Sequence, residues 1–283
     1  MTMNDQDDFK IDFVGIGAPK CATTWIYECL KEHPKICMPR LKSTCFFDQS
    51  GFSQQRLDRA LRRCQVAQKS GEFSPTYLYQ ERIVQQIKLY NPDIKLIVSL
   101  KDPTQRTYSH YLHRISLHSS KWSGFLSAVK QAPIFTEHSF YYKYLKNYFD
   151  NFPKEQILVL FTEDIKKDPH SLISRMYDFL EVDSSFVPKI INHKVSPTAF
   201  KTTYLGKFIH KALGQPLQIS ELGKLTKNIP FVRRFYLKLA EVYSSDKDKP
   251  IMSEEASDYL HSLFQEDITK LERLIDKDLS HWK

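Results

Sequence analysis

Hydrophobic residues gather into a few short runs along the chain, and each run predicts its own element. "IKLIVSL", residues 94–100, is nearly all apolar, as a strand buried on both faces should be. "QILVLF", residues 156–161, reads the same way. Residues 13–16 form a shorter run, and a weaker one leads into Gly71. Between these runs the spacing turns helical. Residues 24–32 read as one helix and "RIVQQIKLY", residues 82–90, as another, stopped by Asn91-Pro92. This alternation predicts a three-layer α/β fold, with a central parallel sheet and helices on its faces.

Beyond residue 161 the pattern is mostly helical. "DPHSLISRMYDFLEV" opens on an Asp-Pro start signal and places Leu172, Ile173, Met176, Phe179 and Leu180 at helical spacing. The last long helix begins near Ser253, with Ala256, Leu260, Leu263, Phe264, Leu271 and Leu274 on its apolar face. Residues 190–250 are basic and lack a clean period; they fit either a substrate-facing insertion or surface helices. No repeat, low-complexity stretch or linker divides the chain, so residues 1–283 are expected to form a single domain.

Charge and cysteine content narrow the picture. Lys+Arg number 41 and Asp+Glu 33, a net charge of +8, which favours anionic partners. The basic residues are scattered and match no nucleic-acid motif, which argues against a nucleic-acid partner. The cysteines, Cys21, Cys29, Cys37, Cys45 and Cys64, are odd in number and irregularly spaced. That spacing predicts neither a disulfide framework nor a metal site, and it fits a reducing compartment. The N-terminus "MTMNDQDDFK" lacks the regions of a signal peptide, and no apolar run is long enough to span a membrane. A cytoplasmic location is the expectation that follows.

The chemistry begins in "FVGIGAPKCATTWIYECL", residues 13–30, where a strand gives way to a helix through a loop holding Lys20. The first turn of a helix offers unpaired N–H groups and a partial positive charge, both suited to an anion. Lys20 adds a full charge, and Thr23 and Thr24 add hydroxyls. Small residues at Gly17, Ala18 and Ala22 let the backbone approach a ligand. The general phosphate loop G-x-x-x-x-G-K-[ST] is not matched, because Lys20 precedes the threonines and no glycine stands directly before it.

Pro19-Lys20-Cys21-Ala22-Thr23-Thr24 resembles the P-K-x-G-T-[ST] loop of sulfotransferases that use 3′-phosphoadenosine 5′-phosphosulfate (PAPS). Ala22 stands for the usual glycine and is tolerable if its φ is negative. A second stretch, "KDPTQRTYSHYLHR", resembles the family's R-D-P-x-x-R-x-x-S-x-Y, with Lys101, Asp102, Pro103, Arg106, Ser109 and Tyr111 in register. "GEFSPTYLY" resembles G-E-K-[ST]-P-x-Y, and residues 139–169 and the terminal Trp282 agree with the family pattern as well. The closest patterns are those of bacterial and glycan-type sulfotransferases.

The resemblance implies a P-loop-like phosphosulfate-binding loop and a transfer of a sulfuryl group from PAPS to a hydroxyl or amine. The expected acceptor is a carbohydrate or small metabolite, and no metal is required. Lys20 would stabilise the leaving oxygen. Lys20, Cys21, Ala22, Thr23 and Thr24 would bind the phosphosulfate, and Lys101 and Ser109 the 3′-phosphate. Ser109 is expected one to two turns down its helix, facing back towards Lys101. Two departures fall on the acceptor side. Ser43 stands where an E-x-x-F-F-type stretch would have its glutamate, and Phe73 stands where G-E-K-[ST] has its lysine. The base candidates are then Glu72, expected to be half-buried at the rim of the sheet, and Asp48 beside Phe46-Phe47. His110 and His113 follow. Two rival classes are a nucleotide kinase of the P-loop type and a non-enzymatic basic binding protein.

Overall fold

The computed structural model describes residues 10–48, 51–64, 68–117, 122–192 and 251–283. Most of the basic stretch read from 190 to 250 lies outside these residues. The described residues within Met1–Arg106, Glu137–Val195 and His261–Lys283 form one compact unit, and those within Thr107–Thr136 and Ser196–Leu260 form another.

In the first unit, five strands make one parallel sheet. β1 (Phe13–Gly17) is central, flanked on one side by β5 (Lys69–Phe73) and then β2 (Ile36–Cys37), and on the other by β6 (Lys95–Leu100) and β7 (Ile157–Phe161). The strands read at 13–16, 94–100 and 156–161, β1, β6 and β7, are therefore adjacent in the sheet. β1 is buried along its whole length, as is β6 after Lys95. Helix α1 (Thr23–Glu32) and helix α8 (Pro169–Phe179) cover one face, where Phe13, Phe73, Ile97 and Leu160 pack with Trp25, Ile26, Leu30, Leu172, Ile173 and Met176. Val14, Ile16, Leu96 and Val98 are fully buried too, so neither face of the sheet is open to water at its centre. Gly15 permits the tight contact of β1 with β5: a Cβ there would meet the Phe73 ring at 2.2 Å.

Helix α3 (Glu81–Tyr90) is the one read from "RIVQQIKLY", and it packs against α6 (Tyr141–Asn151). α7 (Thr162–Lys167) follows β7 directly. The last helix, α9 (Glu254–Ile275), contributes Phe264 to a ring contact with Phe140 at 5.0 Å. Trp282 is buried against Phe161, with ring centroids 5.6 Å apart. Several elements were not read from the pattern, among them α6, α7, β2, the hairpin of β3 (Phe47–Asp48) with β4 (Gly51–Phe52), and α2 (Gln54–Leu61).

In the second unit, the later part of α4 (Pro103–Leu117) and α5 (Phe125–Gln131) are held by aromatic contacts. Tyr108 and Tyr111 meet Phe125 at 5.0 and 5.2 Å, and Trp122 meets Phe135 at 5.0 Å.

One expectation is overturned here. Cys37 and Cys64, 27 residues apart, form a disulfide. Odd number and irregular spacing hid it, because pairing depends on β2 and the end of α2 being brought together. The cysteine content therefore no longer argues for a reducing compartment. Cys21 and Cys29 are buried thiols. No helix among the described residues is long and apolar enough to cross a membrane.

Candidate active site

The sheet order places β1 where the chain turns from one side of the sheet to the other, the point at which open α/β sheets bind ligands beyond their strand ends. The register of β1 against β6 shifts between Gly15 and Gly17, which redirects the chain as it leaves the strand. The Ala18 N–H then donates to Ser99 O at 2.8 Å and the Cys21 N–H to Ala18 O at 3.2 Å. Lys20 and Ala22 both adopt left-handed backbone conformations, with φ 74° and 56°. The condition set on Ala22 thus fails: its φ is positive, a conformation that suits glycine and strains alanine. Ala22 is also the N-cap of α1 and offers no side-chain cap, so the helix start keeps N–H groups free of side-chain partners.

Arg106 braces this loop from below. It is 1% exposed; its Nε donates to Pro19 O at 3.3 Å and its Nη1 to Ser139 Oγ at 3.4 Å. Cys21 is buried with Sγ 3.6 Å from the Tyr141 hydroxyl, which itself donates to Lys101 O at 2.9 Å. One hydrogen-bonded chain therefore joins the loop after β1 to the residue that follows β6. Asp102 accepts the N–H groups of Thr104 and Gln105 at 2.7 and 3.2 Å and so starts α4, as the Asp-Pro pair predicts.

Lys20 is half-buried, and its pKa falls to about 8, through desolvation first and then the charges of Lys101 and Arg106. Lys42, which the sequence analysis did not single out, joins it. Its Nζ donates to Thr23 Oγ1 at 2.7 Å and Thr24 Oγ1 at 3.2 Å. Its pKa also falls to about 8, from burial and then from Lys20. Lys20, Lys42 and Lys101 thus converge with no ion-paired carboxylate among the described residues. Such a cluster is unfavourable when empty and favourable around a polyanion.

The structure therefore brings Lys20, Cys21, Ala22, Thr23, Thr24 and Lys101 together. Ser109 and His110 are half-buried and His113 exposed, all three on the part of α4 that belongs to the second unit. His110 meets the Phe135 ring edge-on at 5.4 Å. Asp48 is in β3, in register with Gly51.

Glu72 differs from its expected setting. It is 0% exposed, not half-buried at the rim. Oε2 accepts from Thr44 Oγ1 at 2.5 Å and from Ser74 Oγ at 2.9 Å, and Oε1 accepts from the Tyr77 hydroxyl at 2.5 Å. The Phe46 N–H donates to the carboxylate as well, and the Phe47 N–H donates to the Tyr77 oxygen at 2.9 Å. Burial pushes the Glu72 pKa up, and these hydrogen bonds oppose the rise. The physical reason for the difference is that Glu72 points into a ring of hydroxyls and not towards the strand ends. The acid, hydroxyls and tyrosine of "GEFSPTY" were the only sequence signal for this knot.

A strand–loop–helix turn at the centre of a parallel sheet covered by helices defines an open α/β class. Residues 10–279 match the sulfotransferase domain, and the chain belongs to that family. The family's general reaction is sulfuryl transfer from PAPS. Among curated relatives, human heparan sulfate glucosamine 3-O-sulfotransferase 3B1 is 26% identical over 179 residues, covering 58% of this chain and 44% of that one. Mouse carbohydrate sulfotransferase 15 is 24% identical over 244 residues, covering 60% and 43%. The chain thus spans about half the length, or less, of the curated relatives it matches. A solved sulfotransferase from Alicyclobacillus acidocaldarius shares the fold, with TM-score 0.69 and 21% identity over 97% of this chain and 99% of that one. The sulfotransferase domain from the curacin biosynthetic pathway has TM-score 0.51 and 15% identity, covering 91% and 98%.

Proposed function

We propose that this chain transfers a sulfuryl group from PAPS to a hydroxyl or amine of an acceptor, and that the acceptor is a carbohydrate or a small metabolite. The observation that carries the reading is the group of lysines at the start of α1, beyond the ends of parallel strands, with no ion-paired carboxylate among the described residues. Family membership supports the donor, and relatives named for heparan sulfate and carbohydrate support the acceptor class.

PAPS, when bound, supplies a sulfuryl group carried on a phosphate. Lys20 would donate to the oxygen that bridges sulfur and phosphorus, where negative charge builds as the bond breaks. The first-turn N–H groups of α1, the backbone of Cys21 and Ala22, and the hydroxyls of Thr23 and Thr24 would hold the phosphate. Lys101 and Ser109 would hold the 3′-phosphate. Lys101 does so as a point charge without the fork of an arginine. Asp48 is the proposed recipient of the acceptor proton. The proposed role of Glu72 is to hold the acceptor-side segment, since its oxygens are taken up by Thr44, Ser74 and Tyr77.

The test is thermal stabilisation by 3′-phosphoadenosine 5′-phosphate (PAP), by ATP with Mg²⁺ and by heparin, followed by turnover of labelled PAPS. PAP at about 100 times its Kd should stabilise the protein by about 2.7 kcal/mol. Stabilisation by ATP with Mg²⁺ alone, or by heparin alone, would instead favour a kinase or a non-enzymatic binder.

A further inference from the structure

Lys42 is the one cation of the cluster that no motif in the sequence marks, and its setting is specific. An ammonium has three N–H donors and no acceptor. By donating to Thr23 Oγ1 at 2.7 Å and Thr24 Oγ1 at 3.2 Å, it uses a lone pair on each hydroxyl. Each hydroxyl keeps its single proton, and the lysine is no partner for it. Both threonines are left as donors, which is what an anion at the start of α1 requires. The same ammonium lies over the Phe73 ring, 5.7 Å from its centroid. Phe73 stands where the pattern G-E-K-[ST] has a lysine.

The stem of Lys42 is fixed on both sides. The Tyr27 hydroxyl donates to Pro39 O at 2.6 Å, and Arg63 Nη2 to Met38 O at 2.9 Å. The Ser43 N–H donates to Phe73 O at 3.0 Å, Thr44 is bonded to Glu72, and the Cys45 N–H donates to Ser74 Oγ at 3.2 Å. Ser43 and Cys45 have φ of 60° and 51°, which turns the chain sharply just after Lys42. The segment is built to deliver this side chain to the helix start.

We propose that Lys42 is a positioning residue of the donor site: it sets the hydroxyls of Thr23 and Thr24 as donors to the phosphosulfate and brings to the Phe73 position the positive charge that Phe73 lacks. This rests on the function proposed above. Repulsion agrees with it: the Lys20 charge helps to depress the Lys42 pKa, and an anion between the two would relieve that.

The experiment compares Lys42→Met and Lys42→Arg with the unsubstituted chain, by calorimetric titration with PAP and by thermal unfolding without ligand. Lys42→Met should weaken PAP binding about 10- to 100-fold, the range for loss of a hydrogen-bonded charge. Its unliganded midpoint should equal or exceed that of the unsubstituted chain, because a repelling charge is gone. Lys42→Arg should bind PAP within about threefold of the unsubstituted chain. Binding of PAP by Lys42→Met within twofold would overturn the inference alone. So would a fall of several degrees in its unliganded midpoint, which would mark a merely structural lysine. Failure of the unsubstituted chain to bind PAP would overturn the proposed function, and this inference with it.

Discussion

The loop at 17–24, proposed to hold the donor, and the segment at 38–48, proposed to face the acceptor, carry Lys20 and Lys42 but are built in different ways. The donor loop is made of backbone: two left-handed residues, an uncapped helix start and a register shift on β1. Few identities matter there beyond Lys20 and the threonines, and the chain follows the family pattern at nearly every position. The acceptor-side segment also has two left-handed residues, Ser43 and Cys45, but it is tied by side chains gathered on one buried carboxylate, Glu72, with hydroxyls from Thr44, Ser74 and Tyr77. There the chain departs from the pattern, at Ser43 and Phe73. A site made of backbone N–H groups tolerates little variation in what it binds. A site made of side chains can be rebuilt for a new acceptor while its donor half stays the same.

The sharpest way to break this contrast is at Lys20. Lys20→Ala should lower the rate about 10²- to 10³-fold with the fold intact, as for loss of one donor to a developing oxyanion. Steady-state kinetics with circular dichroism checks it, and near-normal turnover would remove Lys20 from the chemistry.

Glu72→Gln tests the other half. An amide offers one acceptor where the carboxylate offers two, so at least one hydroxyl loses its partner. The cost should be about 2–3 kcal/mol, read as a lower unfolding midpoint. The acid limb of the kcat profile should persist at temperatures where the variant is folded. A flattened limb with an unchanged midpoint would make Glu72 the base after all.

A smaller effect separates the charged side from the neutral one. In the unliganded protein Lys20 and Lys42 titrate near pH 8, below the ordinary lysine value of 10.5. Over that window the unfolded chain binds more protons than the folded one, so unliganded stability should rise with pH. A bound polyanion raises both pKa values, so PAP binding above about pH 8 should take up protons and weaken as pH increases. Titration calorimetry in buffers of different ionisation enthalpy measures the uptake; none at pH 9 would mean that neither lysine faces the ligand.

The smallest effect lies in the donor backbone. Ala22→Gly should relieve the left-handed alanine and stabilise the protein by about 0.5–1 kcal/mol, after the extra entropy of an unfolded glycine. An unchanged or lower midpoint would show that the loop absorbs the strain of alanine at φ 56°.

These tests also mark what the sequence made legible. β1, β6 and β7 could be read because burial on both faces demands an unbroken apolar run, and Lys20 because loop, lysine and threonines are contiguous. Lys42 could not, because it reaches Thr23 across 19 residues with no pattern to signal it. The burial of Glu72 was hidden for a similar reason: Thr44, one of its partners, lies 28 residues away. The sign of φ at Ala22 is a property of the loop's path, and residue identity alone pointed the wrong way. β2 has two residues, too few to show any period.

The Cys37–Cys64 bridge encloses Lys42, Ser43, Thr44 and the Phe46-Phe47 pair, and leaves the donor loop outside. A cross-link of this length restricts the unfolded segment and so favours its ordered form. With the thiols reduced, that ordering falls to the hydroxyls around Glu72 and to the bonds that Tyr27, Arg63 and Phe73 make with Pro39, Met38 and Ser43. The redox history of a preparation is therefore written on the segment that carries Lys42: oxidised and reduced samples should differ in nucleotide affinity through Lys42, and in acceptor preference.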